Sequence, residues 1–290
     1  MSPILAGSVT AVAYAISTLT SARSARLAGP GPTVAGVMIV GTILLVPIAL
    51  ILSPIRTSPE VPASTLLLAA VAGLANVGGL LLAYAAYRIG AVGVVSTIGS
   101  TEGAIAAVIS IAAGQVLAPG SGPALVVVAI GVILAATGGG HELEEGVAIS
   151  RARSLRAAGL AMCAALLLGT GLFISGQVST SLPPAWVVLP GRIVGIIVVT
   201  VPIVLSGRGR VPRRSLKFIA VTGIVEVVGL LSFSVGAAQD IAITSVLGSM
   251  FAPLGVIAAF VLFRERLAPR QIAGIVLIVI GIAVLGSLAS

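Results

Sequence analysis

Two carboxylates stand inside long apolar runs, where a charge is costly. Glu102 lies about halfway along one run, in Gly99-Ser-Thr-Glu-Gly103, and Glu226 about halfway along another, in Gly223-Ile-Val-Glu-Val-Val-Gly229. In mid-bilayer an ionisable side chain costs roughly 3 kcal/mol on insertion scales, so it is normally turned toward the protein interior and used. In a poorly hydrated cavity either carboxylate could carry a proton or meet a substrate amine, and spacing alone does not choose between those roles. Asp240 falls in a short connection and reads as a solvated charge or a helix N-cap.

Small residues flank both glutamates: Gly73, Gly78 and Gly79 on the run that carries Asn76, Gly223 and Gly229 beside Glu226, and a Gly-x-x-x-Gly spacing from Gly99 to Gly103. They let helices pack closely, and in mid-span they also free volume and backbone for a ligand. Pro253, after Gly248-Ser249-Met250-Phe251, predicts a kink that frees carbonyls near Ser249, either as a substrate contact or hinge or as a structural bend; Pro47 and Pro202 read as structural. Arg192 lies about 12 Å of helical rise beyond Pro184, so it is expected to snorkel to the interface, a partnership with Glu226 or a substrate carboxylate being the alternative. Tyr84, Tyr87 and Trp186 stand near run ends and are expected in interfacial belts, with Tyr84 the first to turn inward. The candidate lining set is Asn76, Gly79, Tyr84, Thr101, Glu102, Glu226, Phe233, Ser249, Met250 and Pro253.

Other chemistry finds little support. The one cysteine, Cys163, is expected to fill space in its apolar run, and a single thiol excludes an intrachain disulfide or a Cys-x-x-Cys metal site. The one histidine, His141, has no second ligand at metal-binding spacing within a span, and Glu142, Glu144 and Glu145 read as solvated loop charges. No Gly-x-Ser-x-Gly or His-Glu-x-x-His occurs, so neither an intramembrane enzyme nor a metal or other cofactor is expected.

The elements that must position these residues follow from composition. Only 8% of the 290 residues are Asp, Glu, Lys or Arg, against about 25% in soluble proteins, too few to cover a water-facing surface. With 58% hydrophobic residues and a mean hydropathy of +1.23, the chain reads as an all-α polytopic membrane protein. A bilayer core needs about 20 apolar residues per helix, and ten such runs are read, near 4–22, 33–52, 65–87, 91–113, 123–139, 155–176, 185–206, 216–236, 241–263 and 270–288. Met1-Ser2-Pro3 carries no basic n-region, so the first run is expected to be a span and not a cleaved signal. The net charge of +8 comes from Arg residues placed between apolar runs, with no basic face interleaved with aromatics, which argues for topology signals and against nucleic acid; the same loops could touch anionic lipids.

An internal repeat divides the chain. Gly73-Leu-Ala-Asn-Val-Gly-Gly-Leu-Leu81 over Gly223-Ile-Val-Glu-Val-Val-Gly-Leu-Leu231 gives five identities in nine at an offset of 150, and Val116-Leu-Ala-Pro119 over Arg266-Leu-Ala-Pro269 and Gly131 over Gly281 keep it. Ile98-Gly-Ser100 matches Leu247-Gly-Ser249 at 149. Two five-helix repeats are expected, over 1–140 and 155–290, with 141–154 as linker. Because five is odd, the second repeat must enter the membrane from the other side, giving an inverted repeat around a central cavity, as secondary transporters have. Glu226 aligns with Asn76, which makes them facing walls of that cavity or, alternatively, interhelical hydrogen-bonding glue. The odd-numbered loops hold 14 of the 16 Lys and Arg residues, so the positive-inside rule places those loops in the cytoplasm of an inner-membrane protein with both termini outside.

The run from Phe260-Val-Leu-Phe-Arg-Glu-Arg-Leu-Ala-Pro269 to the Gly-studded helix ending at Gly281 resembles EamA-type transporters of the drug/metabolite transporter superfamily. Ala113-Gly-Gln-Val-Leu-Ala-Pro119 is similar to a decayed first copy, with Gln115 where the family's Glu often stands. The resemblance implies a ten-helix inverted-repeat carrier with a cavity walled by the third, fourth, eighth and ninth spans, exporting small molecules across the bilayer by alternating access, with a monomeric state allowed. Among its members, amino-acid exporters of the YddG type, handling aromatic and other neutral amino acids, are the leading expectation. Multidrug or hydrophobic-cation export is the rival, and an aromatic content of 3% leaves few rings to cage a cation.

Overall fold

The computed structural model describes residues 1–52, 62–90, 92–115, 120–137, 151–207, 209, 211–254 and 269–288, and among these the structure is all helical. Backbone chemistry at the ends explains where helices start. Ser2 caps α1 (Pro3–Ala28), its side chain accepting from the Leu5 N–H, and Pro3 occupies a first-turn position that needs no hydrogen-bond donor. Gly29, at φ +89°, closes α1 by donating to the Ala25 carbonyl at 2.9 Å and turns directly into α2 (Pro30–Pro47). Pro47 cannot donate, and the chain beyond it runs as a π-helical stretch over Ile48–Leu52.

The remaining elements are α3 (Ala63–Ile89), α4 (Val92–Gly99), α5 (Glu102–Ala112), α6 (Ser121–Thr137), α7 (Arg151–Ser179), α8 (Pro184–Gly195), a π stretch Ile196–Thr200 leading into α9 (Val201–Leu205), α10 (Arg213–Ala237), α11 (Ile241–Gly248) and α12 (Pro269–Leu288). Pro202 sits just past the second π stretch, so both prolines read as structural accompany the same local widening. Among the described residues six segments of 22 to 27 residues are long and apolar enough to cross a membrane. At about 1.5 Å per residue the shortest reaches about 33 Å, which matches a bilayer core. The chain is thus an integral, multi-pass membrane protein.

On α1 the side chains that go inside are the reverse of those in a water-soluble protein. On α1 the buried stripe is Ala6, Thr10, Ala13, Ser17, Ser21 and Ser24, while Leu5, Val12, Ile16 and Leu19 face outward. Lipid solvates large aliphatic side chains as well as a protein interior does, so close approach of small residues and hydroxyl bonding hold the helices together. Along the seam of α1 with α10, Thr10 Oγ1 donates to the Gly229 carbonyl at 3.1 Å, Thr20 and Thr222 share a bond of 2.7 Å, and Ser24 and Ser215 one of 2.8 Å. α3 runs along α7 and meets α8 where Gly73 backs onto Gly191 with no room for a Cβ. α6 pairs with α12, with Gly281 packed against Val128.

Two expected spans are interrupted. The fourth breaks at Ser100-Thr101 between α4 and α5, and the ninth breaks at Ser249-Met250 before helix resumes over 251–254. Both breaks fall inside the two Gly-Ser motifs that align in the repeat, and α5 and α11 pack on each other there, Gly103 lying against Ser245 and Ser249. The second break precedes Pro253, so the bend expected from that proline is centred a turn earlier. The linker expectations at His141, Glu142, Glu144 and Glu145, the Val116–Pro119 repeat copy, Arg56, Arg208, Arg210 and the Glu265 region lie outside the described residues.

Candidate functional site

The interruption of the fourth span sets Glu102 in the first turn of α5, where unpaired N–H groups favour a negative charge. Its residue is 5% exposed, and no hydrogen bond or ion pair to another described residue holds its carboxylate. Gly169 on α7 lies directly against the Glu102 carbonyl and Ile105, which pins this half-helix against the bundle.

Glu226, on α10, is 4% exposed but fully engaged. Tyr84 Oη donates to Oε1 at 3.0 Å and Arg192 Nη1 donates to Oε2 at 2.9 Å. Arg192 therefore does not snorkel: it is 1% exposed in the middle of the protein. Gly41 on α2 makes room for it, since a Cβ there would come within 3.0 Å of Nε. The physical reason is partner supply: a buried carboxylate and a small residue across the helix interface offset a desolvation that snorkelling would otherwise avoid.

Both glutamates open onto one cavity, lined also by Tyr14, Ser17, Thr18 and Ser21 of α1, Asn76, Leu80, Tyr84 and Tyr87 of α3, Gly99, Ala161, Ala164, Leu168 and Leu172 of α7, Leu230, and Phe251. About 80 Å³ of it is open to the centre of a water-sized sphere, enough for several waters or a small polar group. All three tyrosines of the chain line this space. Tyr14 and Phe251 meet edge to face with centroids 6.3 Å apart. Tyr84 and Tyr87 are buried and so do not form an interfacial belt; Trp186 is half-buried between apolar clusters.

Of the residues proposed from sequence, Asn76, Tyr84, Glu102 and Glu226 come together on this wall. The others lie off it. Gly79 receives Leu168 and the Ala164 carbonyl and serves helix packing. Phe233 is locked in a core with Ala106, Leu172, Ala237 and Ile241. Thr101 Oγ1 donates to the Ile98 carbonyl at 2.7 Å, closing the end of α4. Ser249 Oγ donates to the Ser245 carbonyl at 2.9 Å, Met250 packs against an apolar cluster with Val246 and Leu247, and Pro253 is buried. Cys163, expected to fill interior space, is exposed on the outer face.

Sequence reasoning did not anticipate the hydroxyl stripe of α1, the inward turn of Tyr87 and Tyr14, or Phe251. A usable signal existed for α1, since Thr10, Ser17, Ser21 and Ser24 recur at helical spacing among apolar residues. Asp240 proves to be the N-cap of α11, accepting from the Ile243 N–H at 2.9 Å, and it also accepts from Gln115 Nε2 at 2.8 Å. Gln115, the position where the resemblance places a Glu, in turn bonds Ser110. Asp240 thus ties the chain after α5 to the start of α11 and takes no part in the cavity.

Next to the main cavity lies a smaller one that shares Asn76, Leu172 and Leu230 with it and is otherwise lined by Gly73, Ser175, Gly191, Arg192 and Ser234, among others.

Residues 155–287 match the model of the EamA-like transporter family, in agreement with the resemblance read in the Phe260–Gly281 region and with the drug/metabolite transporter superfamily. No curated protein matches the chain. One solved crystal structure shares the fold with a TM-score of 0.73 over 99% of this chain and 97% of that one, at 14% identity.

Proposed function

Starting from the EamA-like transporter domain of residues 155–287, we propose that the chain is a secondary transporter that exports small amphipathic molecules bearing a protonated amine, with amino acids as the first class. One observation carries the reading: Glu102 faces an aromatic-walled cavity with no partner among the described residues, while Glu226 beside it is paired with Arg192. An ammonium group placed there gains an ion pair in a site of low dielectric and ring faces for the adjoining apolar part.

Alternating access by two inverted five-helix repeats, over 1–140 and 155–290, is the proposed mechanism. The pattern of packing supports it. A two-fold axis that exchanges the halves would turn the α1 and α10 pair into the α7 and α3 pair and would leave α6 with α12, and the fourth span with the ninth, in contact across the axis. These are the pairings found, and Gly79 against Ala164 repeats Gly229 against Tyr14 at the offset of 150. The interrupted fourth and ninth spans would then be the elements that rearrange around a central site. The Arg distribution supports an orientation with both termini outside the cytoplasm.

Hydrophobic-cation export is the second reading, favoured by the gathering of Tyr14, Tyr84, Tyr87 and Phe251 beside Glu102, whose carboxylate has no partner among the described residues. Counterflow in liposomes separates the two. Saturable exchange of labelled phenylalanine, tryptophan, methionine or threonine, lost at least about tenfold in Glu102→Gln, is the expected result. Exchange of a tetraphenylphosphonium label with none of any amino acid would move the assignment to the second reading.

A further inference from the structure

We infer that the smaller cavity is a carboxylate subsite read by Arg192, so that the transported molecules are zwitterions and not simple cations. The inference deepens the proposed function and rests on it. Arg192 is 1% exposed, yet of its three guanidinium nitrogens only Nη1 has partners, Glu226 Oε2 at 2.9 Å and Met38 Sδ at 3.6 Å. Nε and Nη2 are buried with no hydrogen-bond partner among the described residues. Buried donors of a charged group are seldom left unmade, and where they are a ligand or switching role is a usual reason.

The two free nitrogens are not an arbitrary pair. Nε and Nη2 form one edge of the guanidinium plane, the edge that meets a carboxylate through two parallel N–H···O bonds. Glu226 is bound through the other terminal nitrogen, so Arg192 can take a second carboxylate without releasing the first. The cavity that Arg192 lines has the company such a ligand needs: the amide of Asn76 and the hydroxyl of Ser175, with Gly73 and Gly191 keeping side chains out of the way, while the Ser234 hydroxyl already donates to the Leu230 carbonyl at 2.9 Å. Asn76 belongs to both cavities, so a molecule lying across it can present an amine to Glu102 and a carboxylate to Arg192. Among the described groups of the wall Arg192 takes up Glu226, which leaves the Glu102 carboxylate for the amine and the Nε and Nη2 donors of the guanidinium for the substrate's own carboxylate.

Three probes differing by one group each test this: phenylalanine, phenethylamine, which lacks the carboxylate, and 3-phenylpropionate, which lacks the amine. The readout is the concentration of each that half-stabilises the purified full-length chain against heat. Phenylalanine is expected to act at a concentration at least about tenfold lower than phenethylamine, one charge-assisted contact's worth. That ratio should fall to about one in Arg192→Gln/Glu226→Gln, which removes both buried charges together. In Ser175→Ala, which leaves the ion pair in place, it should fall by about threefold. 3-Phenylpropionate should act better on Glu102→Gln than on the native chain. Equal action of phenylalanine and phenethylamine on the native chain would overturn the carboxylate subsite while leaving amine recognition at Glu102 standing. Failure of all three to stabilise would sink both.

Discussion

Glu102 and Glu226 are the same residue type, equally buried and on the wall of the same cavity, yet their surroundings make them different groups. Glu226 is 4% exposed and spends its charge on the protein, through Arg192 at 2.9 Å and Tyr84 at 3.0 Å. Glu102 is 5% exposed and spends it on nothing described, on a half-helix whose start lies within the membrane-crossing bundle. Burial therefore does not assign a role to an intramembrane carboxylate; the partner does. The paired one is built into the fold, and the unpaired one is available to what enters.

The sharpest way to break this contrast is to remove the partner. Arg192→Leu leaves Glu226 buried without its counter-charge and is expected to destabilise the protein by about 3–5 kcal/mol, read as the unfolding midpoint in detergent. Adding Glu226→Leu to it should recover most of that loss, because an apolar pair replaces an ionic one. If Arg192→Leu is as stable as the native chain, the pair does not hold Glu226 and the contrast fails.

Next in size is Gly103→Val, which acts on the helix that carries Glu102. Gly103 lies against the Ser245 carbonyl and Ser249 Oγ, so a side chain there must push α5 from α11 at a cost of about 1–3 kcal/mol, with loss of transport. Tyr84→Phe removes one donor to a charged acceptor and should cost about 1.5–3 kcal/mol at most, toward the lower end because Arg192 remains on Glu226. Smallest of all is the effect of Glu102→Gln on stability, expected within about 1 kcal/mol of the native chain, since no partner among the described residues is lost. Its effect belongs to transport. A large loss of stability in Glu102→Gln with unchanged exchange would reverse the roles assigned to the two glutamates.

Much of the architecture was legible in the residues. Hydropathy runs, proline and glycine punctuation and the near-constant offset of Gly73 to Gly223 rest on local chemistry, and the described helices fall where those signals place them. The breaks at Ser100-Thr101 and Ser249-Met250 were less legible, because a hydropathy run does not register a helix that stops and restarts within the bilayer. The site was legible by half. Asn76, Glu102 and Glu226 stand out because a polar group in an apolar run is conspicuous, and Tyr84 because of its position. Arg192 was misread because its distance from the interface permits snorkelling, and nothing nearby in sequence says that Glu226 waits on another helix.

Composition and pattern alone determined that this chain lives in a membrane, as helices, with carboxylates it must either pair or use. The tertiary structure decided which carboxylate is paired, that Tyr14, Tyr84 and Tyr87 share one cavity, and that two buried donors of Arg192 have no partner among the described residues. The physical reason is rotational. In a water-soluble helix the apolar stripe fixes which face turns inward, but in lipid large aliphatic residues are welcome on the outside and small ones are drawn in. Rotation about each helix axis is then set by contacts such as Gly73 on Gly191 and Gly229 on Tyr14, which exist only once the helices have met.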